Sequence, residues 1–227
     1  LALVLVILVL ARPQTTNKWQ NSEIEGIDIM LAIDVSTSML AEDLKPNRLE
    51  AAKDVAAEFI NGRPNDNIGI TLFAGETFTQ CPLTVDHAVL LDMIHNIKCG
   101  LITDGTAVGM GIANAVTRLK DSKAKSKVII LLTDGTNNKG DISPMTAAEI
   151  AKSFGIRVYT IGVGTNGMAP YPYPVGNTVQ YVSMPVEIDE KTLTEIAGTT
   201  DGNYFRATSN SKLKEVYEEI DKLEKTK

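Results

Sequence analysis

Oxygen-bearing side chains stand close together at three separate points of the sequence. Asp34, Ser36 and Ser38 form a D-x-S-x-S pattern, Thr106 lies in the middle of the chain, and Asp134 comes directly before a glycine. Carboxylate and hydroxyl oxygens are the ligands that Mg²⁺ prefers, with water completing an octahedral shell. These five residues are therefore predicted to bind one divalent cation, Mg²⁺ by preference, with Mn²⁺ or Ca²⁺ as alternatives.

A site of this composition would leave its cation electrophilic, because hydroxyls and water carry no charge and only two protein carboxylates are present. An Asp or Glu of another protein could then complete the metal shell as a charge-assisted contact held away from bulk water. The pattern therefore favours a protein partner that binds through an acidic residue, and only when the metal is present.

Three further acidic residues accompany this pattern. Asp104 stands two residues before Thr106, so we expect it either in the outer shell of the metal or as the cap of the helix that follows. Asp43 and Glu76 are predicted to be solvated loop acids that lie at most on the rim of the site.

Segments of strand and helix character alternate along the chain and must position these residues. The first predicted strand is almost continuously apolar, as in a strand covered on both faces, and Asp34 closes it. Predicted strands cover 27–34, 67–73, 77–81, 128–133, 156–162 and 203–207, and predicted helices cover 48–60, 85–97, 107–119, 146–154, 193–197 and 212–227. A hairpin is expected around 178–182, within the long connection that follows the strand at 156–162. The order predicts an α/β fold, Rossmann-like and doubly wound, with a mostly parallel central sheet flanked by helices. Functional groups should gather beyond the carboxyl ends of its strands.

Composition excludes several classes of function. The chain has 227 residues and a net charge of −6, which argues against nucleic-acid binding. Two cysteines without a C-x-x-C pattern argue against a zinc site, and the sequence leaves open whether Cys81 and Cys99 form a disulfide or stay free thiols. His87 and His95 are the two histidines, too small a stock for most acid–base catalysis.

The motifs of common enzymes are also missing or out of context. G-x-G-x-x-G at 162–167 follows a strand, but the prolines at 170, 172 and 174 prevent the helix that a dinucleotide site needs. No G-x-S-x-G or G-x-x-x-x-G-K-[ST] occurs. A Mg²⁺-dependent phosphotransfer enzyme is a weaker alternative, since Ser36 stands where such an enzyme would carry a second acid. We therefore expect no enzyme activity.

The chain begins with an apolar stretch. We interpret 1–12 as a truncated transmembrane segment, 13–24 as a polar tether and 25–227 as one domain. A buried strand is the alternative for the first stretch.

The three-part constellation at 34–38, Thr106 and Asp134 resembles the metal-ion-dependent adhesion site of von Willebrand factor type A domains. The resemblance implies Asp34, Ser36, Ser38, Thr106 and Asp134 as direct or water-mediated metal ligands, and it covers about residues 23–225.

A narrower resemblance is carried by A-R-P-Q at 11–14, Asp43, P-N-R-L at 46–49 and C-P-L-T at 81–84. These features are similar to the membrane-anchored bacterial domains of the Bacteroides-aerotolerance (Bat) type. The resemblance implies a Mg²⁺-dependent protein-binding module at the bacterial inner membrane, with its domain in the periplasm. Its partners would be other Bat-type proteins or, as an alternative function, a separate AAA+ ATPase that the domain serves as an adaptor.

Overall fold

The computed structural model describes residues 26–165, 167–176 and 178–225. Its main sheet has six strands: β1 (Asp28–Asp34), β2 (Asn67–Phe73), β3 (Thr77–Thr84), β4 (Lys127–Thr133), β5 (Arg157–Val163) and β8 (Tyr204–Ala207). Their order across the sheet is β3-β2-β1-β4-β5-β8, and all are parallel except β3, which pairs antiparallel with β2. β1 is therefore central, as its apolar sequence predicts.

Within the described residues, six α-helices cover the two faces of this sheet. They are α1 (Arg48–Asn61), α2 (His87–His95), α3 (Val108–Leu119), α4 (Pro144–Ser153), α5 (Glu190–Thr199) and α6 (Asn210–Lys225). Capping side chains fix four of the starts: Asn47, Asp86, Ser143 and Asp189 each accept a hydrogen bond from a backbone N–H in the first turn of α1, α2, α4 and α5, respectively.

Alternation along β1 divides the core into two layers. Ile29, Leu31 and Ile33 pack with apolar residues of α1, α2 and α6, whereas Met30 and Ala32 pack with those of α3, α4 and α5. Successive side chains of a strand point to opposite faces, so a strand buried on both sides must be apolar throughout. The predicted fold class is confirmed.

A second, two-stranded sheet stands apart from the main one. β6 (Gly167–Val175) and β7 (Thr178–Val186) form an antiparallel hairpin, longer than the hairpin expected around 178–182. The N–H of Glu42 donates to the carbonyl of Pro170 at 2.9 Å, which ties the hairpin to the loop before α1.

The order of the strands reverses at β1, because the chain passes from β1 to β2 on one side and later to β4 on the other. The crevice beyond the carboxyl ends of β1 and β4 is thus the topological switch point where α/β sheets bind ligands. None of the helices within the described residues is long and apolar enough to span a bilayer. The segments 1–12 and 13–24 lie outside those residues, so the transmembrane and tether assignments stay predictions.

Candidate metal centre

The turn that follows β1 gathers three of the predicted ligands. The N–H of Ser36 donates to Asp34 Oδ1 at 2.9 Å, which bends the chain back over the end of the strand. A short 3-10 helix at Thr37–Leu40 then brings the Ser36 and Ser38 hydroxyl oxygens to 2.9 Å from each other. The i, i+2, i+4 spacing therefore places one carboxylate and two hydroxyls in a single cluster.

The end of β4 joins this cluster from the neighbouring strand. Since β1 and β4 are parallel and in register, Thr133 and Asp134 lie beside Asp34. The Thr133 hydroxyl donates to Asp34 Oδ2 at 2.6 Å, and the Ser38 hydroxyl donates to Asp134 Oδ1 at 2.8 Å. Thr133 is a contact that the ligand pattern alone did not reveal.

The third segment contributes Thr106, just before α3. Its N–H donates to Asn138 Oδ1 at 2.9 Å, and its carbonyl accepts from the N–H of Asn138 at 3.0 Å. A Cβ atom on Gly135 would lie 3.2 Å from Thr106 Oγ1, so this hydroxyl sits directly against the residue after Asp134. The structure thus brings all five predicted residues to one end of the sheet.

The two carboxylates of this cluster are both buried. Asp34 is 0 % exposed and Asp134 is 2 % exposed. Burial, together with repulsion from Asp134, raises the pKa of Asp34 to about 7, although hydrogen bonds from Ser36 and Thr133 oppose the rise. Burial also raises the pKa of Asp134 against the opposing pull of Arg48. Without a cation, the site resists carrying both negative charges.

Arg48, the first residue of α1, is a site residue that was not among the predicted ones. Its guanidinium, 2 % exposed, donates from Nη1 to Asp134 Oδ2 at 2.6 Å. Nε and Nη2 each donate to Asp43, both at 2.7 Å, in a two-pronged ion pair. One positive charge is therefore shared between two acids, and Asp34 is left without one.

The expectation of a solvated loop acid is wrong for Asp43, whose side chain is 4 % exposed. It accepts hydrogen bonds from Arg48 and from the N–H of Thr165, the latter at 2.7 Å. Burial by itself would raise its pKa, but these hydrogen bonds outweigh that effect and lower the pKa to about 2. Asp43 acts on the cluster through Arg48 and not as an open rim acid.

Asp104 and Glu76 lie on the exposed side of the cluster, outside the residues that line its cleft. Asp104 accepts from the N–H and the hydroxyl of Thr37 at 3.0 and 2.7 Å, so it braces the 3-10 helix. The helix-cap alternative for Asp104 is wrong, because α3 has Ala107 at its cap position. Glu76 is exposed, as expected, and accepts from the Thr103 hydroxyl at 3.0 Å.

A cleft of about 430 Å³ opens above the cluster. Its base includes Ser38, Thr106 and Asp134. One wall consists of uncharged residues of the hairpin: Ala169, Tyr171, Tyr173, Met184, Pro185 and Val186. No grouping of three or more His, Cys, Asp or Glu suited to a metal occurs in the described ranges. A cation bound here would depend on the hydroxyls as well as on the carboxylates.

The cysteines are both free thiols. Cys81 is buried in the sheet, and the half-buried Cys99 donates weakly to the carbonyl oxygen of Ser36 at 3.4 Å. Burial, and then the nearby carboxylates, raises the pKa of Cys99 to about 12, which keeps this thiol protonated and unreactive at neutral pH.

A doubly wound α/β domain with D-x-S-x-S, threonine and aspartate gathered at its switch point is the architecture of one known class. The family model of the von Willebrand factor type A domain matches residues 28–219, and the chain belongs to that family.

Among solved structures, the chain is similar to the conserved hypothetical protein BatB from Bacteroides thetaiotaomicron, at 34% identity and a TM-score of 0.77, over 88% of this chain and 100% of that one. An aerotolerance-related membrane protein from Bacteroides fragilis, with multiple mutations to serines, matches at 34% identity and 0.75, over 87% and 100%. The resemblance to Bat-type domains is confirmed.

A more distant structure, proximal thread matrix protein 1 from the mussel byssus with a zinc-occupied MIDAS motif, has 25% identity and a TM-score of 0.68, over 87% of this chain and 45% of that one. Two curated relatives are an uncharacterized protein of Borreliella burgdorferi, at 29% identity over 99% of this chain, and a UPF0353 protein of Mycolicibacterium paratuberculosis, at 30% over 97%. The chain spans about two thirds of their lengths, 66% and 67%.

Proposed function

We propose that this chain is a Mg²⁺-dependent protein-binding module whose partner inserts an acidic side chain into the cleft above Asp34 and Asp134. The observation that carries the proposal is the pair of buried carboxylates, Asp34 and Asp134, gathered with two serine hydroxyls. Asp134 and Ser38 of this cluster line the base of an open cleft. Burying two like charges is unfavourable unless a cation accompanies them.

The donor set fits a hard divalent cation. Asp34, Ser36, Ser38, Thr106 and Asp134 would hold it directly or through water, with oxygen atoms alone. When bound, the ion supplies an electrophilic centre that accepts a further carboxylate. Mg²⁺ suits this set best, and Mn²⁺ would serve in its place. The zinc-occupied motif of the byssus protein supports a divalent ion at the equivalent place in a structural neighbour.

The surrounding residues would keep the ligands in position before the partner arrives. The Ser36 N–H and the Thr133 hydroxyl fix the two oxygens of Asp34, while Arg48 fixes one oxygen of Asp134. Because Arg48 already balances part of the charge on Asp134 and Asp43, the bound ion would retain more of its own charge for the incoming acid. This arrangement favours capture of a carboxylate over tight sequestration of the metal.

Non-enzymatic action is part of the proposal. Domains of this family generally mediate protein–protein interactions, and neither histidine reaches the cleft. His87 Nε2 contacts the carbonyl oxygen of Asp66, just before the start of β2 and hence at the opposite end of the sheet, and His95 contacts Leu91 within its own helix. The Bacteroides fragilis neighbour is described as a membrane protein, which supports a place at the bacterial inner membrane. We propose that the domain faces the periplasm.

Affinity capture from solubilised membranes, with and without EDTA, tests the proposal. Asp34→Ala should remain folded and lose metal-dependent capture. Asp121→Ala is the matched control, since it removes an exposed acid from the opposite end of the sheet. Undiminished capture by folded Asp34→Ala, or capture that EDTA does not affect, would refute the proposal. An ATPase among the EDTA-sensitive proteins would assign the adaptor form of the same function.

A further inference from the structure

The hairpin that walls the cleft has an unusual composition for an exposed element. Residues 167–176 and 178–186 include no Asp, Glu, Lys, Arg or His, although 22% of the whole chain is charged. Large apolar side chains nevertheless face solvent there: Tyr181 is 61% exposed, Met168 is 59% exposed and Val179 is 57% exposed. Contiguous apolar surface exposed on a domain commonly marks a site of interaction with another molecule.

The two edges of the hairpin differ in their capacity to accept another strand. All four prolines of the hairpin fall at the same parity of the register: Pro170 lies opposite Ser183, Pro172 opposite Tyr181, Pro174 opposite Val179, and Pro185 opposite Met168. Since proline has no N–H, these pairs must be the ones whose backbone groups point away from the partner strand. The carbonyl of Pro170 does point outward, because it accepts from the N–H of Glu42.

The outer edge of β6 is therefore closed to strand pairing. Three of its outward positions, at 170, 172 and 174, are prolines, so this edge offers carbonyls without the matching donors along most of its length. Proline on an edge strand is a common protection against unwanted pairing.

The outer edge of β7 has no such protection. By the same parity, the N–H and C=O groups of Val179, Tyr181 and Ser183 point outward. The backbone of none of these three is hydrogen-bonded along that edge by any part of the chain that the structure describes. A row of alternating donors and acceptors flanked by exposed apolar side chains is the surface to which an extended peptide adds as a strand.

The open edge leads into the cleft. Met184, Pro185, Val186 and Glu187, at the end of β7, line the cleft together with Thr106 and Asp134. A strand paired along β7 would therefore reach the candidate metal centre at the end that lies beside Pro185.

We propose that the β7 edge docks an extended segment of the partner protein by strand addition, with that segment's Asp or Glu at the end beside Pro185. The kind of segment that fits follows from the chemistry of the β7 edge, the hairpin and the cleft. The edge requires an extended backbone, the uncharged hairpin requires alternating apolar side chains, and the cleft requires one acid. This inference rests on the proposed function, and it deepens it by naming the conformation and side-chain pattern of the partner.

The test uses a phage-displayed library of random linear nonapeptides, bound to the domain in Mg²⁺ and eluted with EDTA. Ser183→Pro removes one outward N–H without touching the ladder to β6, because Ser183 already lies opposite Pro170. Ser183→Ala is the matched control, which loses the same hydroxyl and keeps the N–H. Mg²⁺ affinity is measured for each variant by calorimetry, so that the metal centre is monitored separately from peptide binding.

We expect the eluted peptides to carry one acid at the end of an alternating apolar pattern and to bind Ser183→Ala as they bind the unchanged protein. Binding to Ser183→Pro should weaken about tenfold or more, since a peptide carbonyl loses its donor and meets a proline ring. Amide exchange at Val179, Tyr181 and Ser183 should slow when peptide is bound.

Other outcomes overturn the inference in distinguishable ways. If Mg²⁺ fails to bind the unchanged protein, the proposed function itself fails. If Mg²⁺ binds but the eluted peptides bind Ser183→Pro undiminished, or no peptide is eluted, only strand addition fails. A dimer in sedimentation that Ser183→Pro dissociates would make the occupant a second copy of this chain and would also overturn it.

Discussion

Replacing Asp34 by Asn should stabilise the metal-free domain while removing its response to metal. In the folded protein the pKa of Asp34 is raised from 3.8 to about 7, by burial and by repulsion from Asp134. The folded state therefore holds a proton that the unfolded chain releases above pH about 4, and stability falls as the pH rises from about 4 to 7. At about 1.4 kcal/mol for each pH unit, the ionised carboxylate costs about 4 kcal/mol above pH 7.

Asn removes the charge of the Asp34 carboxylate and keeps the shape of the side chain. Its carbonyl can accept from the N–H of Ser36, and its amide can donate to the Thr133 hydroxyl, which rotates to become the acceptor. We therefore expect Asp34→Asn to be more stable than the unchanged protein in EDTA at pH 8, by at most about 4 kcal/mol, and equally stable near pH 4.

Urea unfolding at both pH values, with EDTA or with Mg²⁺, measures these differences. At an Mg²⁺ concentration of about 100 times the dissociation constant, the unchanged protein should gain about 2.7 kcal/mol, whereas Asp34→Asn should gain almost nothing. The reasoning is refuted if Asp34→Asn is the less stable protein in EDTA at pH 8, or if Mg²⁺ stabilises both proteins equally.

Three further substitutions test the ion pairs beside the cluster. Arg48→Met should lower the free energy of unfolding by about 3–5 kcal/mol, because it leaves Asp43 and Asp134 buried without their cation; a loss below 1 kcal/mol in urea would contradict the assigned contacts. Asp43→Asn should flatten the acid limb of a stability–pH curve, since the lowered pKa gives Asp43 a contribution that is present above pH about 4 and lost as the pH falls to about 2; an unchanged limb would count against it. Gly164→Ala should cost about 1–3 kcal/mol, because its φ is +128° and its new Cβ would lie 2.6 Å from Arg48 Nη2; thermal unfolding at an unaltered temperature would show that the loop adapts freely.

Local sequence pattern predicted the main sheet well, because β1, β2, β4 and β5 are buried on both faces and have apolar residues throughout. The helices between these strands begin at or near capping residues, so most of the predicted bounds agree with the observed bounds within three residues. The candidate ligands were predictable for the same reason. They follow the carboxyl ends of central strands, and that position alone brings Asp34 and Asp134 together.

Arg48 and Asp43 were beyond such reasoning, because their pairing depends on contacts between α1, the loop before it and the segment after β5. A charged residue at a helix start ordinarily faces water. One local signal was available: Arg48 precedes Ala52 by four residues and Val55 by seven, which places it on the buried stripe of α1.

β6 was missed for a different reason. Prolines at 170, 172 and 174 argue against a central strand, and they are compatible with β6 because its outward edge requires no donors. Their strict spacing of two was the signal for an edge strand. Asp104 was misassigned as a cap candidate because its true partner, Thr37, lies far away in sequence.

The most direct test of the account is an anomalous difference map from crystals of the domain soaked in Mn²⁺. We predict one strong peak at the carboxyl end of β1, in contact with the hydroxyls of Ser36 and Ser38 and next to the carboxylates of Asp34 and Asp134, and no such peak in Asp34→Ala crystals treated in the same way. A map with no peak in this cleft, or with the ion bound elsewhere on the domain, would contradict it.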